Sequence, residues 1–328
     1  MNTQVIIKLY AFLSPKFLNA YIITMRPYLF FVSGITGIAG MSFFSELSII
    51  KIILLFTAAF FSYGFGQALT DCFQIDTDTI SSPYRPLTQG IVSKNQFLIL
   101  SVCGLTFCVS VFTFYNPYNL ILGILAGLGL ASYTFFKRKW WAGPFYNAWI
   151  VTVLFFMALL SGLSNFNKIN TGLLLLAVAA VFFGYANFVL AGYFKDIGAD
   201  RKTGYNTFPV AFGKKPAAFA SDVFAILFAT SALMVFYYMI QMNTLVQTLP
   251  AIIFLLVGSV QSVRAQIKLH KVEKEEQAFG SIELVVHSYI LILSGVAVIQ
   301  KPNWFLFLVL FYSAFIVVLK FRPMKNQI

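Results

Sequence analysis

Apolar residues dominate this chain in long unbroken blocks, without the alternating or three-to-four spaced stripes of a soluble fold. Ten such stretches run near residues 22–44, 51–70, 96–115, 119–136, 147–163, 172–194, 217–240, 247–263, 284–299 and 303–320. Each is about long enough for a helix to cross a ~30 Å hydrocarbon core, the shortest with help from flanking polar residues. The pattern therefore predicts an all-α fold, a polytopic transmembrane helical bundle forming one domain over residues 1–328. The last two stretches are joined by only a few residues around Lys301-Pro302, which suits either two short helices or one broken segment.

Composition agrees. Of 328 residues 59% are hydrophobic and 10% charged, and the mean hydropathy is +0.82. A soluble domain carries roughly a quarter charged residues, so this chain belongs to the membrane class. Met1 to Lys16 lacks a small-residue cleavage site and does not read as a secretory signal. Cys72, Cys103 and Cys108 are scattered in or beside apolar stretches, and suggest neither a disulfide framework nor a zinc site.

The net charge of +12 changes the picture through its distribution. With the N-terminus placed inside, the inner regions hold 20 of the 23 basic residues, and only Lys51, Lys168 and Lys301 fall outside. Lys8, Lys16, Lys94, Lys271 and Lys325 are among the inner ones. By the positive-inside rule both termini and the longer polar loops are cytoplasmic. The basic balance thus reads as topology and attraction to membrane lipid, with no nucleic acid partner. Outer connections such as Tyr115-Asn116-Pro117-Tyr118-Asn119 are short, whereas 71–95, 193–216 and 264–283 are long and polar. Gly34, Gly37, Gly40, Gly123 and Gly127 recur at spacings that let transmembrane backbones approach, and read as packing.

Candidate chemistry sits in two of those loops, after the second and sixth stretches. Five of the eleven acidic residues, Asp71, Asp76, Asp78, Asp196 and Asp200, lie there. If the second helix continues past the membrane, Asp71, Gln74 and Asp78 share one face at i, i+3 and i+7, and Asp76 points roughly the other way. Asp196 and Asp200 are i, i+4 partners. Oxygen donors without His or Cys suit a hard cation, and Mg²⁺ binds through one or two carboxylates plus substrate phosphates. The two clusters therefore read as a site for Mg²⁺ and a diphosphate, with Asp71, Gln74, Asp78, Asp196 and Asp200 as metal ligands. Arg85, Lys195 and Arg201 supply cations beside them. Tyr133 and Lys137 form another i, i+4 pair on a third inner loop, although Lys137-Arg138-Lys139 is equally an ordinary positive-inside anchor.

These residues resemble the UbiA superfamily of intramembrane prenyltransferases. That family carries Asn-Asp-x-x-Asp-x-x-x-Asp after the second helix, often with Pro-x-Arg-Pro following, Tyr-x-x-x-Lys after the fourth, and Asp-x-x-x-Asp after the sixth. Here Thr70 to Asp78, Pro83-Tyr84-Arg85-Pro86, Tyr133 to Lys137, and Asp196 to Asp200 stand in that order, within a resemblance over about 22–300. Pro209-Val210-Ala211-Phe212-Gly213 and Arg26-Pro27 extend it, and Pro83 to Gly90 is similar to the chlorophyll-synthase-like branch. Two positions depart, Thr70 for Asn and Gln74 for the middle Asp, which removes a charge and should weaken Mg²⁺ binding.

The resemblance implies usually nine helices around a central cavity, with the diphosphate at a cytoplasmic mouth and the prenyl tail in an apolar chamber opening toward lipid. Asp71, Asp78, Asp196 and Asp200 would hold Mg²⁺, with Gln74 auxiliary. Arg85, Lys137, Lys195 and Arg201 would neutralise the departing diphosphate, and Tyr133 would donate a hydrogen bond. An aromatic or lipid-like acceptor then captures the prenyl cation. The alternatives are a terpene cyclase of the same type, needing no acceptor, and a non-catalytic lipid-binding or transport relative. Tyr185, Asn187, Ser62, Gln67 and His287 read as interhelical hydrogen bonds or as acceptor contacts, and Asp222 as an acid outside the site.

Overall fold

The structure is a computed structural model, and it describes residues 9–44, 48–162, 170–240 and 244–322. Lys8, Lys168 and Lys325 lie outside them, as does the start of the segment read for a signal. The described residues form 14 α-helices and no strand. Ten spans are long and apolar enough to cross a membrane, one more than the nine the resemblance implied.

The first span starts earlier than the hydrophobic pattern suggested and is broken. Helix α1 (Pro15–Met25) stops at Arg26, which takes a left-handed conformation, φ 56°. Pro27 has no N–H to continue the ladder, so a 3₁₀ turn at Pro27–Leu29 intervenes before α2 (Phe30–Met41). The second span, α3 (Ile49–Asp71), starts at Ser48, whose hydroxyl accepts the Lys51 N–H at 3.3 Å. It ends at Asp71, and α4 (Ile75–Ser81) is a separate short helix. The expected single helix through Asp78 is thus interrupted by a turn at residues 72–74.

Four spans follow: α5 (Lys94–Tyr115), α6 (Asn119–Lys137), α7 (Gly143–Gly162) and α8 (Thr171–Gly192). Two short helices, α9 (Ile197–Lys202) and α10 (Phe208–Phe212), precede α11 (Lys214–Ile240) and α12 (Leu245–His270). The last pair is resolved as two helices, α13 (Phe279–Gln300) and α14 (Phe305–Lys320).

Burial shows how they assemble. Helix α13 is buried along 83% of its apolar window, against 22% for α14. It fills the interior beside α2, α8, α11 and α12. Side chains on the other side leave space between α3, α5, α6 and α7. Close approach is built into α2: a Cβ at Gly37 would stand 2.5 Å from the Ala59 Cβ, and one at Gly40 2.5 Å from the Phe155 carbonyl. Gly127 behaves differently, since a Cβ there meets nothing within 4 Å. It lines open space and is not a packing contact.

Several polar residues are interhelical fasteners. The Ser221 hydroxyl donates to Asn187 Oδ1 at 2.6 Å, and His287 Nδ1 pairs with the Tyr312 hydroxyl at 2.7 Å.

The short helices α4 and α9 sit together at one end of the bundle, joined by a 2.7 Å hydrogen bond between the Thr77 and Thr203 hydroxyls. Arg138, just after α6, reaches Asp76 of α4 at 3.0 Å, and Tyr205 donates to the same carboxylate at 3.1 Å. The loops carrying the candidate chemistry therefore converge on one face.

Candidate active site

The two acidic loops and the end of α6 line an open polar cavity of about 710 Å³, counting the space at its mouth. Asp71, Gln74, Asp78, Arg85, Tyr133, Lys137, Lys195 and Asp196 all line it, together with Arg26, which the motifs placed only as an early Arg-Pro.

Each side chain arrives by local backbone logic. Helix α3 ends at Asp71, and the turn rotates the chain so that Gln74, half outside α4, and Asp78 in its first turn still face inward. Asp76, on the opposite side of α4, is 44% exposed and bound to Arg138, so it does not replace the charge missing at Gln74. Asp196 stands at the N-terminus of α9 and lines the cavity.

Cations meet these acids closely. Arg26 Nη2 donates to both Asp71 oxygens, at 2.9 and 3.2 Å, and Gln67 Nε2 donates to Asp71 Oδ1 at 2.6 Å. The left-handed backbone at Arg26 is a strained conformation for a non-glycine residue, held where the guanidinium serves the site. Arg85 forms an ion pair with Asp78 and stands 3.6 Å from Asp71. Its loop is tied by the Thr88 hydroxyl, which donates to the Arg85 carbonyl at 2.7 Å. Burial raises the Asp78 carboxyl above the ordinary range, although Arg85 pulls it down.

Asp200 is placed differently from Asp196. It has no exposed surface and is not among the cavity's lining residues. Lys137 stands in front of it, with Nζ 3.4 Å from Asp200 Oδ1 and 3.1 Å from Gln74 Oε1. The hydroxyls of Thr77 and Thr207 donate to the two Asp200 oxygens at 3.4 and 3.3 Å. Burial pushes the Asp200 carboxyl up to about 6, against the pull of Lys137. Lys137 is thus more than a topology anchor: it is a buried cation with an assigned counter-charge. Arg201 is exposed and does not line the cavity. The Tyr133 hydroxyl hydrogen-bonds to that of Tyr193 at 3.0 Å.

A second cavity of about 840 Å³ continues from the first between α3, α5, α6 and α7. Tyr63, Gln67, Thr70, Asn147 and Tyr185 line both, so a polar mouth passes directly into an apolar chamber. Ser62 lines the chamber as well.

Sequence reasoning had not assigned Arg26, Tyr63, Asn147 and Tyr193 to this site, or Thr77 and Thr207 to the support of Asp200. Gln67 stands i, i+4 before Asp71, and a search for helical partners of the acids finds it. An arginine beside an apolar stretch was the signal for Arg26. The others come together only through tertiary structure.

The donor set suits one kind of cation. Among the described residues no three His, Cys, Asp or Glu side chains group closely enough to cage a metal alone. Carboxylates and an amide oxygen facing a cavity fit Mg²⁺, which completes its shell with substrate phosphates and water.

Comparison with known proteins places these features. The model of the UbiA prenyltransferase family matches residues 29–284. Digeranylgeranylglyceryl phosphate synthase of Methanocaldococcus jannaschii is 28% identical over 191 residues, 58% of this chain and 65% of that enzyme. The match therefore spans somewhat less than two thirds of the relative's length. Chloroplastic chlorophyll synthase of Oryza sativa subsp. japonica is 26% identical over 166 residues, 47% of this chain and 43% of that one. A UbiA homolog from Archaeoglobus fulgidus, solved bound to DMAPP and Mg²⁺, shares the fold with a TM-score of 0.63 at 17% identity, covering 86% of this chain and 99% of its own.

Proposed function

The chain belongs to the UbiA prenyltransferase family, and from that premise we propose that it is a Mg²⁺-dependent intramembrane prenyltransferase acting on a prenyl diphosphate. The observation that carries the reading is the junction of the two cavities. A mouth lined by Asp71, Asp78 and Asp196 and by four cations opens, past Tyr63, Gln67, Asn147 and Tyr185, into an apolar chamber. Such a site holds a diphosphate at one end and a hydrocarbon tail at the other. The excess of basic residues on the inner loops supports a mouth at the cytoplasmic face of a single transmembrane domain.

Asp71, Asp78 and Asp196 would hold Mg²⁺, with Gln74 as a neutral oxygen donor. When bound, the metal supplies positive charge to the diphosphate oxygens and makes it a better leaving group. Arg26, Arg85, Lys137 and Lys195 surround the same space and stabilise the charge that builds as the C1–O bond breaks, with the electron pair leaving on the diphosphate. Tyr133 offers a hydroxyl from the wall. Asp200 fixes Lys137 from behind, an aspartate role distinct from metal binding. The aromatic faces of Tyr63 and Tyr185 at the junction shield the allylic cation.

An acceptor then bonds to C1 and loses its proton. The relative from Methanocaldococcus favours a lipid-like alcohol over an aromatic ring as that acceptor. Nothing in the site favours ring closure on the substrate's own double bonds.

The test is incubation of the reconstituted protein with geranyl, farnesyl and geranylgeranyl diphosphates plus Mg²⁺. Each is paired with a prenylated glyceryl phosphate or with an aromatic acid. Diphosphate release coupled to a prenylated acceptor is expected. No release from any substrate would sink the proposal, and a cyclic hydrocarbon formed without acceptor would replace transfer by cyclisation.

A further inference from the structure

Asp76, Arg138 and Tyr205 are not among the residues lining the cavity, yet they close on one another. Arg138 Nη2 donates to Asp76 Oδ2 at 3.0 Å and lies 3.5 Å from the Tyr205 hydroxyl, which itself donates to Asp76 Oδ1 at 3.1 Å. The carboxylate and the guanidinium are half-exposed, whereas Tyr205 has no exposed surface. The network therefore runs inward from the surface and ends on the Tyr205 ring.

Backbone logic puts that ring in place. After α9, Gly204 takes a left-handed conformation, φ 76°. The Tyr205 N–H then donates to the Asp200 carbonyl at 2.8 Å, the six-to-one bond of a Schellman cap. The next N–H, of Asn206, donates to the Arg138 carbonyl at 3.2 Å. Tyr205 is thus tied to Asp200 on one side and to the end of α6 on the other, the two places that meet at Lys137.

Lys137 Nζ stands 5.1 Å from the centre of the Tyr205 ring and 5.6 Å from that of Tyr193. The Arg138 guanidinium lies 4.5 Å from the Tyr205 ring. These are cation–π distances. A lysine ammonium rides on a flexible four-carbon stem, so it points one way only when its surroundings hold it. A carboxylate that holds it also neutralises it. An aromatic ring attracts it through the quadrupole and leaves the formal charge free for an incoming anion.

We infer that Tyr205, anchored from the surface by Asp76 and Arg138, is a positioning residue that aims Lys137 at the diphosphate. The inference rests on the transferase reading, and it gives a role to Asp76, which faces away from the cavity.

The experiment measures kcat and KM for diphosphate release by the full-length protein in liposomes, using whichever of geranyl, farnesyl and geranylgeranyl diphosphates the wild type turns over fastest. Tyr205→Leu removes the ring, and kcat should fall about tenfold or more, as for a misaimed group at a reacting centre. KM should stay within about threefold, because the charge of Lys137 counts most as the bond breaks. Tyr205→Phe keeps the ring and should restore kcat to within about threefold of the wild type. In a Lys137→Met background Tyr205→Leu should add no further loss, since no ammonium is left to aim. Asp76→Ala, at a half-exposed position, cuts the anchor without opening the core. It should lower kcat about threefold, again only where Lys137 is present. Losses of the same factor with and without Lys137 would overturn the positioning role and leave the transferase reading standing, as would a Tyr205→Phe protein as slow as Tyr205→Leu. A wild type that releases diphosphate from none of the three substrates would overturn both.

Discussion

Lys137 stands 3.4 Å from Asp200, the lysine facing the cavity and the carboxylate fully buried behind it. Under the proposed function this gives a division of labour within the second acidic motif, in which Asp196, lining the cavity, would meet substrate and Asp200 would hold Lys137 in place. Asp200→Asn keeps the shape and removes the charge, and Lys137→Met removes the cation. Each should lower diphosphate release about 10²-fold, the usual cost of losing one preorganised charge-stabilising group. Because the two act as a unit, the double variant should be no worse than Lys137→Met alone. Losses that add in the double variant would separate the two residues.

Gln74 adds a second consequence, since its side-chain oxygen accepts from Lys137 at 3.1 Å. Restoring a carboxylate at this position returns the charge missing from the first cluster. An aspartate is shorter and would draw Lys137 away from Asp200, so Gln74→Glu is the cleaner change. Half-maximal activity should then need about tenfold less Mg²⁺, consistent with one added anionic ligand. An unchanged Mg²⁺ titration would remove Gln74 from the metal's surroundings.

Acid should disable the site through Asp200. Burial raises its carboxyl from 3.8 to about 6, so it is protonated below that value and gives Lys137 no counter-charge. Activity should therefore rise with pH through about 6. The effect on folding has the opposite sign: between 3.8 and about 6 the folded protein keeps a proton that the unfolded chain has lost. The contribution of Asp200 to stability consequently falls as pH rises across that window. In Asp200→Asn the pH dependence of the melting temperature should flatten there, and a curve identical to the wild type would contradict the assignment.

The spans and both acidic loops were legible in the sequence because membrane burial imposes long apolar blocks, against which a few aspartates stand out. What stayed hidden depended on chain breaks and three-dimensional neighbours. Asp71, Gln74 and Asp78 were expected to share the face of one continuing helix. They converge instead across a turn at 72–74, and the result for Asp76 is the same for a different reason. Asp200 was read as a twin of Asp196 from i, i+4 spacing, yet Asp196 is the non-helical cap residue before α9, at φ −119° and ψ 9°, and lines the cavity, whereas Asp200 inside the helix is buried against Lys137, Thr77 and Thr207. Nothing local marks Arg26 as the partner of Asp71, 45 residues away.

Asp222 serves as a contrast. It pairs with His270 at 2.7 Å on the partly exposed faces of α11 and α12, and it lines neither the mouth nor the chamber. Exposed ion pairs contribute about 0–1 kcal/mol. Asp222→Asn should accordingly leave kcat and the Mg²⁺ requirement within about twofold of the wild type, the kinetic equivalent of a few tenths of a kcal/mol. A large loss of turnover in a well-folded Asp222→Asn protein would mean that the site extends to this face.

Glu275 tests how the second loop is held. Its Oε1 accepts the Gly198 N–H at 2.6 Å, fastening the loop after α12 to the first turn of α9, two residues beyond Asp196. A Cβ at Gly198 would stand 3.0 Å from that oxygen, so the contact is tight as well as polar. Removing the acceptor leaves the α9 N–H in search of a partner and frees Asp196 to move. Small misplacements at a reacting centre are costly, and Glu275→Ala should lower kcat about tenfold or more. Glu275→Gln keeps an oxygen in the same place and should restore most of that activity, because the bond needs an acceptor and not a charge. If the glutamine variant is as impaired as the alanine one, Glu275 acts through its charge on the site, and the tether is not its role.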